Sequence, residues 1–233
     1  VEYINVLIVW RKYYHQKLRK EEKLSINQYW KKNYGKKVPY LWHRLYTSLY
    51  GDFNVEYVPE YIFSAYLEPY LGRRELTKAY ADKCLLDILF SDVVTPKTII
   101  YNSSGLFYTG NHKLISKEKL IINSRISGNY IIKPTIDSGS GKNVRKLCLE
   151  NGVDKKSGED IKQILDSYQS NYIIQEQIEQ HHSYSNIYPK STNTLRIITY
   201  IVNSRVRCMK PVLRVGKGGA LLDGWHYGGI LIG

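Results

Sequence analysis

The chain has 233 residues and a mass of 27.2 kDa, and its 43% hydrophobic and 24% charged residues are typical of a globular protein with a buried core. This composition excludes a purely disordered tail, and no apolar run near the start approaches the ~20 residues of a membrane helix. Lys and Arg outnumber Asp and Glu by 34 to 21, a net charge of +13 that favours polyanionic partners without choosing among nucleic acid, acidic lipid, anionic polysaccharide and nucleotide.

The front of the chain, residues 1–90, has the three-to-four spacing of helices. Helices are predicted at 40–50, 61–71 and 75–90, and the many tyrosines among them indicate an amphipathic core rather than a platform for carbohydrate. The basic stretch 11–23 is consistent with an anion-binding helix or with a solvated surface helix diluted by Glu21 and Glu22.

After Pro96 the pattern changes to short strands. Strands are predicted at 98–101, 130–132 and 172–174, with a helix at 159–168, and further strands at 195–202 and 205–215. We therefore expect an α+β protein with three parts: a helical region 1–90, a small α/β subdomain 91–180, and the start of another sheet at 181–233.

The cysteines indicate the compartment. Cys84, Cys148 and Cys208 are far apart, and no C-x-x-C pair occurs, so neither a disulfide framework nor a zinc cluster is expected. A reducing compartment and the lack of a signal-peptide cleavage pattern predict a cytoplasmic protein, with peripheral membrane contact left open.

The most informative segment is the end of the strand near residue 132. Lys133 follows the strand, and a Gly/Ser loop comes at once, which can turn backbone amides toward an anion. It is neither a Walker A loop, since Ile136 stands where a glycine is needed, nor a dinucleotide fingerprint, since Val144 takes the third glycine position. A plain hairpin loop remains the alternative. The loop residues are Ser138, Gly139, Ser140 and Gly141.

A second strand, near residue 174, runs into polar residues. Such a strand end can offer its backbone to the edge of an adenine, with an acidic side chain beyond it for the ribose hydroxyls. A solvated polar turn is the alternative here.

Two arginines interrupt predicted strands. Arg196 and Arg214 would need a carboxylate or a phosphate partner if their strands are buried. A structural salt bridge and a ligand site both satisfy this need.

The histidines are weaker candidates. His181 and His182 lack further ligands at metal spacing and indicate a polar surface turn, while His226 is left as a residue that could contact substrate.

In this order the segments resemble the ATP-grasp superfamily, and more narrowly the sugar-transfer-associated ATP-grasp proteins linked to polysaccharide gene clusters. The resemblance covers residues 28–233. It rests on Asp82-Lys83, Lys133-Pro134 with the Gly139/Gly141 loop, the run from Gln175 to Ile178, Asn193-Thr194-Leu195-Arg196, Leu213-Arg214-Val215-Gly216, Asp223 and Gly228-Gly229.

The resemblance implies the fold and the site. It implies an ATP-grasp fold with a lid subdomain, an adenine hinge and the first part of a core antiparallel sheet. Lys83, Lys133 and the 138–141 loop would bind the ATP phosphates, the backbones of Glu176 and Ile178 the adenine, and Glu179 the ribose. Arg196 and Arg214 would be catalytic, facing the γ-phosphate and an acyl phosphate, and the substrate residues would be Asn193, Thr194, Asp223, Gly228 and Gly229.

The implied function is that of an ATP-dependent ligase acting through an acyl phosphate in polysaccharide or cell-surface glycan biosynthesis, with ATP, Mg²⁺ and a carboxylate substrate. Gly224 stands where the family tends to carry asparagine, and the family's metal-binding strands would follow residue 233. We therefore expect a truncated, inactive form with no metal ligands of its own. The alternatives are a basic, non-catalytic binder of nucleic acid or anionic glycan, for which no nucleic-acid motif is present, and an ATP-grasp fold without turnover.

Overall fold

A computed structural model describes residues 16–72, 77, 80–123, 126–136, 138, 141–220, 223–224 and 228–233. The chain divides into two compact units, residues 1–74 and 75–233. The finer division at residues 90 and 180 stays a prediction.

Helices build the first unit. They are α1 (Lys20–Tyr34), α2 (Leu41–Tyr50), α3 (Glu60–Ile62) and α4 (Glu68–Leu71), with a π-helical segment, Phe63–Leu67, joining the last two. The helices predicted at 40–50 and 61–71 are confirmed. The core of this unit consists of Leu18, Ile26, Trp30, Val38 and Ile62.

In the basic stretch at 11–23, residues 16–19 are not helical and the helix begins at Lys20, while residues 11–15 lie outside the described part of the chain. The Glu22 carboxylate accepts a 2.7 Å hydrogen bond from the backbone amide of Arg19, and this contact closes the first turn of α1. The prediction of one helix from 11 to 23 is therefore wrong between 16 and 19.

A seven-stranded antiparallel sheet dominates the second unit, in the order β3-β2-β1-β7-β4-β5-β6. Its strands are β1 (Thr98–Ser103), β2 (Leu106–Thr109), β3 (Leu114–Ile115), β4 (Gly128–Pro134), β5 (Arg145–Glu150), β6 (Val153–Asp154) and β7 (Tyr172–Glu176). The three strands predicted around 100, 131 and 173 are thus central members of one sheet.

Helices cover one face of this sheet. Helices α6 (Lys117–Asn123) and α7 (Ile161–Tyr168) contribute Leu120 and Ile164 to a core shared with Ile132 and Ile174. Asp160 caps α7 in a reciprocal pair with Gln163, which explains why the predicted helix forms.

The helix predicted at 75–90 is interrupted. Residues 82–85 are not helical, and only the short α5 (Leu86–Leu89) follows them. Asp82 causes the break, because its carboxylate accepts a 3.0 Å hydrogen bond from the amide of Cys84 and so competes with the helical pattern. Residues 73–76, 78 and 79 lie outside the described part.

The last fifty residues form two small sheets instead of two long strands. One is the hairpin β9 (Thr199–Val202) with β10 (Arg205–Cys208), and the other has the order β12-β11-β8, from β8 (Thr194–Arg196), β11 (Val212–Val215) and β12 (Ile230–Ile232). Pro211 has no amide to donate and separates β10 from β11, which explains one of the two breaks. A short helix, α8 (His182–Ser185), precedes β8.

Among the described helices, none combines the length and the apolar character needed to cross a membrane. All three cysteines are free thiols. Cytoplasmic location stays a prediction.

Candidate functional site

The face of the seven-stranded sheet opposite the helices carries Lys133. This residue is paired directly with Ile173, and Ile131 on the same strand is paired with Gln175 on one side and Lys146 on the other. Directly paired residues of an antiparallel ladder share a face, and so do alternate residues of a strand. Two lysines and a glutamine therefore lie together on the open face.

A small cleft of about 70 Å³ lies over this face. It joins the centre of the sheet to the segment that follows β7. The residues around it are Pro96, Ile131, Lys133, Lys146, Gln175, Glu176, Gln177, Ile178 and Thr192.

Gln175 fixes one wall of the cleft. Its side chain is buried, and its Nε2 donates to the carbonyl of Pro96 at 3.1 Å and to the Thr98 hydroxyl at 3.2 Å. These bonds hold the residues before β1 against the end of β7.

Lys133 lines this cleft, and Lys83 lies near enough to act on its charge. Burial lowers the pKa of Lys133, and the nearby positive charge of Lys83 lowers it further. Burial also lowers the pKa of Lys83, against the opposing effect of Asp82. Neither lysine forms an ion pair in the part of the chain that the structure describes. Two like charges that are held together and partly desolvated create a site that an anion would stabilise.

The Lys83 ammonium is oriented by neutral acceptors. Its Nζ donates to the carbonyl of Thr135 at 3.1 Å and to the hydroxyl of Ser138 at 2.8 Å, and its backbone amide donates to the same carbonyl at 3.2 Å. The lysine after the broken helix is thus tied to the end of β4, where Lys133 lies. The structure brings these two predicted phosphate residues together.

Cys84 anchors the turn that carries Lys83. Its thiol is buried against Tyr101 and Ile173, and burial raises its pKa to about 12. The thiol is therefore protonated at neutral pH and serves as an apolar anchor rather than a nucleophile.

Tyr101, which packs against Cys84, is itself held by a series of side-chain contacts. The ring of Tyr101 stacks on Tyr108 with centroids 4.9 Å apart, and its hydroxyl lies 2.9 Å from Nδ1 of His112. Nε2 of His112 lies 3.2 Å from the carboxylate of Asp87 on α5. The hairpin β1–β2 is thereby fastened to the segment that follows Lys83.

The predicted Gly/Ser loop is described at its two ends. Ser138 accepts from Lys83 and donates to the carbonyl of Pro134 at 3.1 Å, and Gly141 has a φ of +69°, the left-handed conformation expected from the sequence. Gly139 and Ser140 lie outside the described residues, so their contact with phosphate stays a prediction.

The end of β7 offers less backbone than the sequence suggested. The amide of Glu176 donates to the carbonyl of Lys97 at 2.9 Å, and the amide of Gln177 donates to Asn129 at 3.0 Å. Among the described residues, the carbonyl of Glu176 and the amide of Ile178 have no backbone partner and are left for a ligand. Glu179 is exposed just beyond. Adenine and ribose contacts by these residues stay predictions.

The two strand arginines share one face of the three-stranded sheet. Arg196 is paired with Val212, and Thr194 with Arg214, in the ladder between β8 and β11. The Arg214 guanidinium forms a 3.1 Å ion pair with Asp223, which also accepts a hydrogen bond from the Thr194 hydroxyl. Asp223 thus orients Arg214.

Arg196 lies on an exposed strand and not on a buried one. All three residues of β8 are exposed, so no buried counterion is required, and Arg196 has none in the portion of the structure described. Neither arginine is among the residues around the cleft, which reaches this part of the chain at Thr192. Their approach to the γ-phosphate stays a prediction.

Asn193 organises the turn before β8. Its buried amide nitrogen donates to the carbonyls of Tyr184 and Tyr188, and its amide oxygen accepts from Ser191 and from the backbone amide of Gly216. These bonds use every hydrogen-bonding position of the side chain. The structure therefore gives Asn193 an architectural part, and a substrate contact by its side chain stays a prediction that this geometry does not favour.

Gly229 is needed for a tight return of the chain after Asp223. Its amide donates to the carbonyl of Gly224 at 3.1 Å, and a Cβ at Gly229 would lie 2.4 Å from the carbonyl oxygen of Asp223. Gly228 has a φ of +82°. The glycine pair shapes the return, and its predicted substrate contact is not tested.

The histidine pair lies where a polar surface was expected. His181 and His182 are both exposed at the start of α8, and Nδ1 of His181 accepts from the amide of Ser183. His226 lies outside the described residues.

Mg²⁺ is the metal that the ATP-grasp fold implies. Across the described ranges, no three His, Cys, Asp or Glu side chains come together as a metal site, and the carboxylate of Asp223 is already held by Arg214 and Thr194. The residues present do not fit a magnesium site, so no step below is routed through the metal.

The antiparallel sheets with their flanking helices define an α+β protein, as predicted. A model of the sugar-transfer associated ATP-grasp family matches residues 63–233, and the chain therefore belongs to that family. The resemblance seen in the sequence is confirmed. No curated protein and no solved structure matches the chain.

Sequence reasoning missed Lys146, Gln175 and Thr192 as residues of the cleft. The pairing of Lys146 with Ile131 places the lysine there, and this register depends on a neighbouring strand, β5, that was not predicted. For Gln175 the sequence indicates only the end of a strand. Its alternation with the buried Ile174 was the available signal for a residue on the opposite face.

Proposed function

We propose that this protein is an ATP-grasp ligase that activates a carboxylate as an acyl phosphate and then joins it to an amine or a similar nucleophile. The observation that supports this most is the position of the two lysines: Lys133 lines the cleft at the end of β7, and the Lys83 ammonium is hydrogen-bonded to Thr135, two residues further along the chain. Paired lysines without a carboxylate partner suit the phosphates of ATP.

In the proposed reaction, a carboxylate oxygen of the substrate attacks the γ-phosphorus of ATP. The bond from that phosphorus to the bridging oxygen breaks, and ADP leaves. The nucleophile then adds to the acyl carbon, inorganic phosphate leaves with the electrons of its C–O bond, and the nucleophile releases a proton. Lys83 and Lys133 hold the phosphates, while Arg196 and Arg214 stabilise the charge of the transferred group.

The segment after β7 supports the nucleotide part of the proposal. Ile178 and Glu176 line the cleft, where they offer a backbone amide and a carbonyl, and Glu179 follows them in the chain with an exposed carboxylate. These groups suit adenine and ribose. The association of the family with sugar transfer supports a substrate in polysaccharide or cell-surface glycan biosynthesis.

The first prediction tests the lysines through binding. Lys133→Ala should weaken the binding of a non-hydrolysable ATP analogue by roughly 10- to 100-fold, the loss expected for one charge-assisted phosphate contact. Thermal stability should hardly change, because the lysine is only half-buried and makes no ion pair with a described residue. Calorimetry gives the affinity, and Lys119→Ala, an exposed lysine on α6, is the matched control.

Three results would contradict the proposal. Equal affinities of the two variants would remove Lys133 from the site, and a collapse of stability with unchanged affinity would make it structural. No heat with the ATP analogue, beside strongly salt-dependent binding of DNA or an anionic glycan, would favour the basic binding protein instead. Phosphate release that depends on an added carboxylate would then separate turnover from binding alone.

A further inference from the structure

A cleft of about 510 Å³ lies in the helical unit, and none of the residues around it belongs to the seven-stranded sheet. Its walls come from the segment before α1, the first turn of α1 and the start of α2. The residues around it are Lys17, Leu18, Lys23, Tyr40, Leu41 and Arg44. A cleft of this size is in the range of small-molecule sites, which is roughly 300–1,000 Å³.

The charges around this cleft are all positive. Three of its six residues are basic and none is acidic. Lys17 and Lys23 form no ion pair with any residue of the described ranges, and Glu22, an acid on the first turn of α1, is held by Arg19. The Nε of Arg44 donates to the carbonyl of Gln16 at 2.9 Å, which fixes the guanidinium at the rim. An anion would therefore meet cations from three separate segments.

The floor and one wall are apolar. Leu18 is buried in the core of the unit, and the ring of Tyr40 carries the Lys23 ammonium 5.9 Å from its centroid. The Tyr40 hydroxyl accepts a hydrogen bond from the side-chain Nδ2 of Asn27, so the orientation of the ring is fixed. A ligand with only charge would leave this ring and Leu41 uncovered, whereas a ring attached to the anion would cover them.

The amino end of α2 adds to the positive potential. Tyr40 is its N-cap residue, and no side chain caps the first turn. The unsatisfied amides of a helix start favour an anion, although this term is smaller than that of the three side chains.

We propose that this cleft binds a small phosphorylated compound with a ring, such as a nucleotide or a sugar phosphate. The site lies in residues 17–44, before the family match begins at residue 63, and it shares no residue with the cleft at the end of β7. It gives the helical unit a ligand of its own. Lys17, Lys23 and Arg44 bind the phosphate, and Tyr40 with Leu41 contacts the ring.

The test compares three probes on the whole chain: uridine diphosphate, glucose 1-phosphate and inorganic pyrophosphate. All measurements use the Lys133→Ala variant, so that the cleft on the sheet contributes little. Calorimetry should give tighter binding for at least one ring-bearing probe than for pyrophosphate, and Lys23→Glu should weaken that probe about tenfold or more. Lys31→Glu, an equal charge change on an exposed part of α1, should leave it within about twofold.

The two ring-bearing probes distinguish a nucleotide from a sugar phosphate as the source of the ligand. Equal losses in Lys23→Glu and Lys31→Glu would overturn the proposal in favour of diffuse attraction by net charge. If pyrophosphate binds as tightly as both ring-bearing probes, the proposed contact between Tyr40 and the ring of the ligand is overturned. Displacement of every probe by DNA or by anionic lipid vesicles, with a steep salt dependence, would make the cleft part of a macromolecular surface instead. The difference between Lys23→Glu and Lys31→Glu does not depend on the ATP site, because both variants carry Lys133→Ala and keep the same remaining residues around the cleft on the sheet.

Discussion

His43 on α2 is a titratable group inside the helical core. It is fully buried, its Nε2 lies 3.1 Å from the carbonyl of Val55, and its Nδ1 has no partner in the described residues. Burial lowers its pKa, against the smaller opposing effect of the Val55 carbonyl. The protonated ring carries an N–H on both nitrogens, and the one at Nδ1 would have no acceptor among the described residues, which is costly.

A second prediction follows from the sign of this shift. A base whose pKa is lower in the folded state binds protons more readily when unfolded, so stability is full above about pH 6.5 and falls as the pH drops below it. The thermal midpoint of the helical unit should therefore drop between about pH 7.5 and pH 5.5. His43→Gln should reduce this slope although it lowers stability at neutral pH. His182→Gln, an exposed position, should keep the slope, and an unchanged slope in His43→Gln would contradict the assignment.

The role of a single residue could be predicted from the sequence where its side-chain chemistry and its place at the end of a strand indicate the same function. Lys133 could be identified because a lysine at the end of an apolar strand is conspicuous, and its meeting with Lys83 agrees with that interpretation. The resemblance implies a substrate contact for Asn193, whereas its hydrogen bonds with Tyr184, Tyr188 and Gly216 form only in the folded turn. A sequence does not display such bonds.

At the scale of elements, the turn at 82–85 is the clearest departure from periodicity. The apolar spacing of 75–90 favours a helix, but the Asp82 side chain captures the Cys84 amide and the Lys83 amide turns to Thr135. The consequence is that Lys83 points to β4 instead of continuing a helix. A local break therefore places the lysine in the site.

The third prediction concerns the support of this turn. His112→Ala should lower the free energy of unfolding by about 1–2 kcal/mol, because the buried Tyr101 hydroxyl and the Asp87 carboxylate both lose a partner. It should also weaken binding of the ATP analogue, since the segment after Lys83 would be less firmly held. Urea unfolding and calorimetry measure the two effects. His181→Ala, at an exposed position, serves as the comparison, and equal effects at both positions would refute the supporting role.

Strands were easier to locate than their partners. The segments at 98–101, 130–132 and 172–174 are buried central strands with continuous apolar residues, which makes them visible. The strands β2, β3, β5 and β6 were missed because they are shorter or half-buried, so their alternation is weak. The apolar segment at the end of the chain also has a sheet neighbour, since β12 is paired with β11.

At the scale of the whole molecule, the surface at 195–209 combines charge with apolar side chains. Residues 181–222 contain seven Lys or Arg and no Asp or Glu. On the hairpin β9–β10, Ile201 and Val206 are directly paired and are 66% and 69% exposed. Adjacent exposed aliphatic side chains favour association, whereas the basic residues oppose it through repulsion.

The fourth prediction separates these two effects. The double change Ile201→Thr and Val206→Thr keeps β-branched residues in the strands but removes their apolar surface. Light scattering should show less association at high protein concentration, most clearly at high salt, where repulsion is screened. Val153→Thr on β6 is the control, and association that persists in the double variant would show that this hairpin is not responsible.

Cys84 gives the protein an internal reporter of motion beside the proposed ATP site. Its thiol is shielded and protonated, with a pKa of about 12, whereas Cys208 is exposed on β10. An alkylating reagent should therefore modify Cys208 quickly and Cys84 only when the turn carrying Lys83 opens. As a fifth prediction, mass spectrometry should show that an ATP analogue slows alkylation of Cys84 and leaves that of Cys208 unchanged. The rate at this one sulfur would then measure how often the turn opens, without any label having been introduced.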